Sequence, residues 1–366
     1  MSVIGEKFKN NEVFVPEVLI AARAMNQGVA LLKPLLAEAG VKASGKVCIG
    51  TVQGDLHDIG KNIVKLMIEG KGLEVIDLGT DVAPETFVQT AIDQNCQIIC
   101  CSALLTTTMG VMADVVKAVE AEAFGAKVRF AENEVPAVTG QIVADEDDAD
   151  ALEVPDLEAG RAKICAEGVR LAKQRIRTKP VLAGMIGPYS LAGRLMDVTE
   201  ILYICFDEPE TVHKVLEKAT AYLIRYGGLL KETGADGIVL AEPLAGILSP
   251  DMAEEFSVPY VKRIIEALQD ENFGIIYHNC GNSVSSMLEP IFAQGAAAYH
   301  FGNAVEMKAV LAAAPEDVLC MGNIDPAGQF AMGTPDSIRA APKALLADCG
   351  GYKNFVPSSG CDIPAP

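Results

Sequence analysis

Two short clusters in this sequence carry residue types that do chemistry. The first is Asp55-Leu56-His57-Asp58-Ile59-Gly60. A neutral imidazole is a metal ligand, and a carboxylate bonded to its second nitrogen raises its basicity. A glycine just after it lets backbone approach a bound group closely. The second cluster is His278-Asn279-Cys280, with a distant Cys361. Residues i and i+2 of a strand point to the same face, so imidazole and thiol can share one ion. A His/Cys/Cys set leaves one tetrahedral position of Zn2+ open, and zinc there holds a bound thiol as thiolate. Taken alone, each cluster also has a structural explanation: an N-cap Asp beside a surface His, and a satisfied core pair.

The elements around them decide between these readings. Residues 16–39 place Leu19, Ala22, Met25, Val29, Leu32 and Leu35 at helical spacing, predicting one or two amphipathic helices broken near Gly28 or Pro34. Strand–helix alternation follows, with strands at 47–52, 73–79 and 98–105 and a helix over 109–123. Such units build a parallel, Rossmann-like sheet, whose carboxyl edge receives cofactors. The first cluster falls on the turn after its first strand. The alternation fails after Gly125, so the domain boundary is expected near 123–126. The acidic run Asp145–Asp150 reads as a solvated loop or helix start.

Strand patterns resume at 180–187, 237–243, 274–281, 297–302, 318–324 and 354–361. Glu242, His278, Cys280, His300, Asn323, Asp325 and Cys361 stand at their ends, as in the active face of a TIM barrel. Six strands fall short of the eight of a closed barrel. The expected class is therefore α/β, a helical cap remnant and Rossmann-like sheet followed by an incomplete (β/α) barrel. The domains are 1–44, 45–123 and 124–366.

The composition limits the function classes. Thirty Lys and Arg against 49 Asp and Glu give a net charge of −19, which repels phosphate backbones and argues against nucleic acid. No apolar run is long enough for a membrane span, and the start MSVIGEKFKN lacks the apolar core of a secretion signal. Ten scattered Cys then suggest reduced thiols in the cytoplasm. Cys100 and Cys101 read as core packing on a buried strand, Met109, Met112, Met185 and Met196 as core filler, and His213 as a surface residue.

The first cluster, followed by Ser102-x-Leu104, resembles the D-x-H-x-x-G…S-x-L motif of methionine-synthase-type corrinoid proteins. EKFKNNEVFVPEVLIAARAM (6–25) is similar to the cap of the corrinoid proteins serving methanol and methylamine methyltransferases. The resemblance implies cobalamin, with His57 as lower cobalt ligand, Asp55 as its hydrogen-bond partner and Thr108 completing that relay. Ser102 and the Val52–Gly54 backbone would line the nucleotide-tail pocket, with Leu104 completing the motif and Gly60 opening the next helix and allowing close approach. The family's Gly-Gly pair is replaced by Ala131, Glu132 and Asn133, and the cap and sheet look truncated.

From residue 124 onward the chain resembles methylcobalamin:coenzyme M methyltransferases of the uroporphyrinogen decarboxylase superfamily. The resemblance rests on VPDLEAGR (154–161), GMIGPYSLAGRL (184–195), AEPLAGILSP (241–250), YHNCG (277–281), GNIDP (322–326) and PSSGCDIP (357–364). It implies zinc on His278, Cys280 and Cys361; Glu242 stands where a fourth ligand, or a group displaced by the thiol, would be, or where an acidic residue caps the next element. The expected activity is methyl transfer from methylcobalamin to a zinc-activated thiol such as coenzyme M, in methanogenic one-carbon metabolism. A donor-specific methyltransferase subunit would be a partner, and a homo-oligomer would complete the open barrel. The alternatives are a carrier without catalysis, an incomplete chimera, and a decarboxylase.

Overall fold

The computed structural model describes residues 2–10, 12–38, 45–51, 59–70, 72–80, 82, 84–96, 98–102, 120–129 and 137–361. The chain divides into two compact units, Met1–Thr106 and Thr107–Pro366. The division precedes the boundary expected near 123–126. Segment 120–126 is tied to the second unit by the buried Glu120, whose carboxylate accepts the Ile186 N–H at 3.1–3.2 Å, and by Phe124, packed edge-on against Tyr222.

In the first unit two helices, α1 (Ser2–Lys9) and α2 (Val15–Glu38), precede a parallel sheet. Val18, Leu19 and Ala22 bury one face of α2. The helix runs unbroken through Gly28 and Pro34, against the expected break. A proline inside a helix removes one backbone hydrogen bond, and α2 continues despite that cost. Strand β1 (Lys46–Thr51) lies between β2 (Glu74–Asp77) and β3 (Ile98–Ser102), with α3 (Ile59–Glu69) and α4 (Pro84–Asp93) as connections. As the central strand, β1 is a continuous buried run, Val47–Thr51. By contrast, Ile98 and Ile99 of β3 are 48% and 44% exposed, so among the described residues the strand expected to be buried stands at the edge of the sheet.

In the second unit the polar segment after Gly125 contains a short antiparallel pair, β4 (Lys127–Arg129) and β5 (Ala137–Thr139), which no alternation in the sequence announced. The acidic run is a helix start: the Asp145 carboxylate accepts the Asp148 N–H at 3.0 Å and caps helix Glu146–Ala151. Six parallel strands then lie in chain order: β6 (Leu182–Ile186), β7 (Gly237–Ala241), β8 (Gly274–Asn279), β9 (Ala298–Phe301), β10 (Leu319–Ile324) and β11 (Phe355–Ser359). Among the described residues β6 and β11 pair on one side only.

Helix Pro209–Glu232 presents Val212, Leu216, Ala219, Leu223, Tyr226 and Leu230 as one buried stripe at alternating spacings of four and three, the pattern of a core-facing helix. Met185 and Met196 are core filler, as expected. Because all six strands are parallel, every carboxyl end lies on the same edge of the sheet. That edge carries the candidate residues.

Candidate functional site

Strand β8 ends at Asn279, so His278 is its penultimate residue and Cys280 stands on the turn just beyond. The buried Asn279 shapes that turn: its Oδ1 accepts the Gly281 N–H at 2.9 Å, and its amide donates to the Tyr277 hydroxyl at 3.0 Å. Cys361 follows β11 on the same edge, beyond Gly360, whose N–H bonds the Ile324 carbonyl at 2.7 Å. No β-carbon would fit at Gly302, where it would meet the Cα and Cβ of Cys280 at 2.6 Å.

The ligand atoms of His278, Cys280 and Cys361 all lie within 4.8 Å of one another. Cys361 Sγ stands 3.7 Å from His278 Nε2. Tetrahedral zinc with ordinary Zn–S and Zn–N bonds requires an S···N span of about 3.6 Å. The two thiols and one imidazole thus match the donor set of a three-ligand zinc centre, and the Cys361–His278 pair matches its spacing. Where they converge His278 is only 9% exposed.

His300 lies directly beside His278 in the β8–β9 register, with ring centroids 4.7 Å apart. Its Nδ1 is 2.9 Å from His278 Nδ1, and its Nε2 is 2.7 Å from the Ser359 carbonyl. Burial, then the neighbouring His278, pushes its pKa down to about 4, so it is neutral at physiological pH. The strand-end position of His300 was legible in the sequence; its contact with the candidate ligand was not.

Other strand-end residues do not converge. Glu242 is fully buried, but its carboxylate is outside the three-residue group: it accepts the N–H groups of Tyr189 at 3.0 Å and Ser190 at 2.6 Å, at the start of helix Pro188–Met196. Burial pushes its pKa up to about 7, opposed by the hydrogen bonds from Ser190 and Tyr189. The expected fourth ligand therefore serves as a helix-terminus acceptor in this geometry, because the helix leaves free donors that need a buried acceptor. Asn323 donates to the Gly302 carbonyl at 3.0 Å, and Asp325 accepts from Ala327 and Gly328 at 3.0 Å. His213, half-exposed on helix Pro209–Glu232, stacks on Phe256 and bonds the Tyr260 hydroxyl at 2.7 Å.

Of the corrinoid-site candidates, Gly54, Asp55, His57, Leu104 and Thr108 lie outside the described residues, as do Ala131–Asn133, Met109 and Met112. The flanks are described. Strand β1 ends at Thr51, directly opposite Ser102 at the end of β3, and Gly60 falls in the first turn of α3. Nearby, the buried Lys61 donates to Asp77 at 2.7 Å, and Lys65 reaches the other carboxylate oxygen at 3.0 Å.

A Rossmann-like sheet is thus followed by a barrel-type parallel sheet that gathers two thiols and an imidazole at its carboxyl edge. Residues 108–366 match the family model described as uroporphyrinogen decarboxylase (URO-D), and residues 45–153 and 1–33 match models described as B12 binding domain. The chain belongs to the uroporphyrinogen decarboxylase family and carries a B12 binding domain in its N-terminal part. Trimethylamine corrinoid protein 1 of Methanosarcina acetivorans is 47% identical over 111 residues, covering 30% of this chain and 51% of that protein. Dimethylamine corrinoid protein 3 of Methanosarcina mazei is 39% identical over 138 residues, covering 37% of this chain and 83% of that protein. The chain spans about half the length of the trimethylamine corrinoid relatives it matches. A solved methyltransferase from Methanosarcina mazei matches in fold, with a TM-score of 0.60 and 22% identity, over 76% of this chain and 78% of its own.

Proposed function

We propose that this chain moves a methyl group from a methylated corrinoid to a thiol such as coenzyme M, held at a zinc centre of His278, Cys280 and Cys361. The observation that carries the reading is the convergence of those ligand atoms within 4.8 Å, in a chain that also holds a B12 binding domain. When bound, zinc would supply a lowered acceptor-thiol pKa and the methylcorrinoid an electrophilic methyl carbon.

This chain's residues do the positioning. The imidazole and two thiols would hold the zinc at three positions and leave a fourth for the acceptor thiol. Glu242 contributes by fixing the start of helix Pro188–Met196 rather than by ligation. At the other site His57 would be the lower corrinoid ligand, oriented by Asp55 and Thr108, while Ser102 and the Val52–Gly54 backbone would line the nucleotide tail beside the motif residues Gly60 and Leu104. A donor-specific methyltransferase would remethylate the corrinoid. Decarboxylation, which the family's name suggests, has no evident use for two convergent thiols.

A second reading, a corrinoid carrier without catalysis, is favoured by the one-sided pairing of β6 and β11 among the described residues. Size exclusion after incubation with hydroxocobalamin and zinc, reading both on the protein peak, separates the two. The methyltransferase reading predicts both groups, with cobalamin lost in His57→Ala and zinc lost in Cys361→Ala. Cobalamin without zinc would leave only the carrier.

A further inference from the structure

The contacts of His300 require a specific arrangement of protons. The Ser359 carbonyl only accepts, so His300 Nε2, 2.7 Å away, carries a hydrogen. The His300 carbonyl, 3.2 Å from His278 Nδ1, likewise only accepts, so that nitrogen carries a hydrogen and His300 Nδ1 faces it as a lone pair. The 2.9 Å Nδ1···Nδ1 contact needs one hydrogen, which must come from His278. His278 therefore carries its proton on Nδ1 and keeps Nε2 free. Nε2 is the atom that stands 3.7 Å from Cys361 Sγ, inside the three-residue group.

We propose that His300 is a positioning residue for the metal centre, an acceptor on His278 Nδ1 that fixes the tautomer able to bind the ion through Nε2. The inference rests on the zinc reading for its purpose, but the proton arrangement stands on geometry, the two carbonyl acceptors at His300 Nε2 and His278 Nδ1 together with the contact between the rings. Ligating histidines generally donate their second N–H to a carboxylate or carbonyl. Here the His300 carbonyl is also near, at 3.2 Å, and the shorter contact is to the neighbouring imidazole. The chain Ser359 C=O···H–Nε2 His300 Nδ1···H–Nδ1 His278 crosses three strands, β11, β9 and β8, so it also locks the rotation of the ligand ring. His300 does not reach the ion, because both its nitrogens are committed.

Two substitutions divide the functions of the ring. In His300→Asn the amide oxygen replaces Nδ1 as an acceptor and the Ser359 contact is lost. In His300→Gln the amide reaches Ser359 and the Nδ1 acceptor is lost. Zinc affinity by chelator competition and imidazole nitrogen shifts of the metal-free, 15N-His-labelled protein are the readouts. The expected result is the Nδ1–H tautomer of His278 in wild type and in His300→Asn. His300→Gln should show mixed tautomers and a loss of about 10–100-fold in zinc affinity. Equal effects of the two variants, or an Nε2–H His278 in wild type, would overturn the proposal. Wild type that binds no zinc yet shows the Nδ1–H tautomer would sink the metal reading alone and support the proton arrangement.

Discussion

Among the cysteines of this chain, burial and company separate inert thiols from candidate ligands. Cys205 and Cys320 are buried, and desolvation pushes both thiols up to about 12, so they stay protonated and unreactive at neutral pH. Cys280 and Cys361 are partly exposed and face an imidazole. Alkylation of the native protein followed by peptide mass spectrometry should therefore mark Cys280 and Cys361 after chelation, with zinc protecting both and Cys205 and Cys320 unmarked throughout. Protection that zinc does not change would count against shared ligation. Gly302 gives a steric test. Its substitution by Ala puts a methyl group 2.6 Å from Cys280 Cα, too close for the thiol to keep its place. We expect at least a tenfold loss of zinc affinity with the fold retained, about 1.4 kcal/mol at the site. The H-x-C pair was legible because two ligands near one strand end need only local geometry. The contacts of His300 and Glu242 were not. A strand-end position says where a Cα lies, while the direction of the side chain depends on the neighbouring strand and helix.

Elements are where the sequence reading held longest and where its failures are most instructive. Short apolar runs bounded by glycine and polar residues located all six strands of the second sheet to within a few residues, β7 beginning at Gly237 and β10 ending at Ile324. Local pattern failed where long-range context decides: α2 passes through Pro34, and the β4–β5 pair is too short to show alternation. Strand β3 reads as buried, yet a strand's burial depends on what covers it, and Ile98 and Ile99 are exposed. Within the first unit the link between α3 and β2 is ionic. Burial works to raise the Asp77 pKa, but hydrogen bonds from Lys61, the Gly79 N–H and Lys65 outweigh it and hold the carboxyl below its ordinary value. A carboxylate depressed by folding stabilises above its unfolded pKa and loses that contribution as pH falls through the folded value. Asp77→Asn should thus cost about 1–3 kcal/mol at pH 7, read by hydrogen exchange of α3 amides. The gap to wild type should shrink below about pH 4, and a pH-independent gap would contradict the assignment.

At the scale of the molecule, a chain of net charge −19 joins a B12 binding domain to a URO-D domain, and no helix among the described residues is long and apolar enough to cross a membrane. His57 falls in the first compact unit and the His278, Cys280 and Cys361 trio in the second. Their losses should be separable: His57→Ala should release cobalamin and keep zinc, and His278→Ala the reverse, by metal and corrinoid content of the purified variants. Loss of both groups in either variant would mean that the sites are not independent. The central claim is that the convergent trio presents a thiol to a methylated corrinoid in this chain. Its most direct test is to load the protein with methylcobalamin and zinc, add 2-mercaptoethanesulfonate, and follow methylcorrinoid absorbance together with the methyl thioether by mass. Wild type should demethylate in proportion to thioether formed, and Cys361→Ala, still holding cobalamin, should not. Equal rates in the two proteins, or a methylcorrinoid that persists in wild type with both groups bound, would contradict the account.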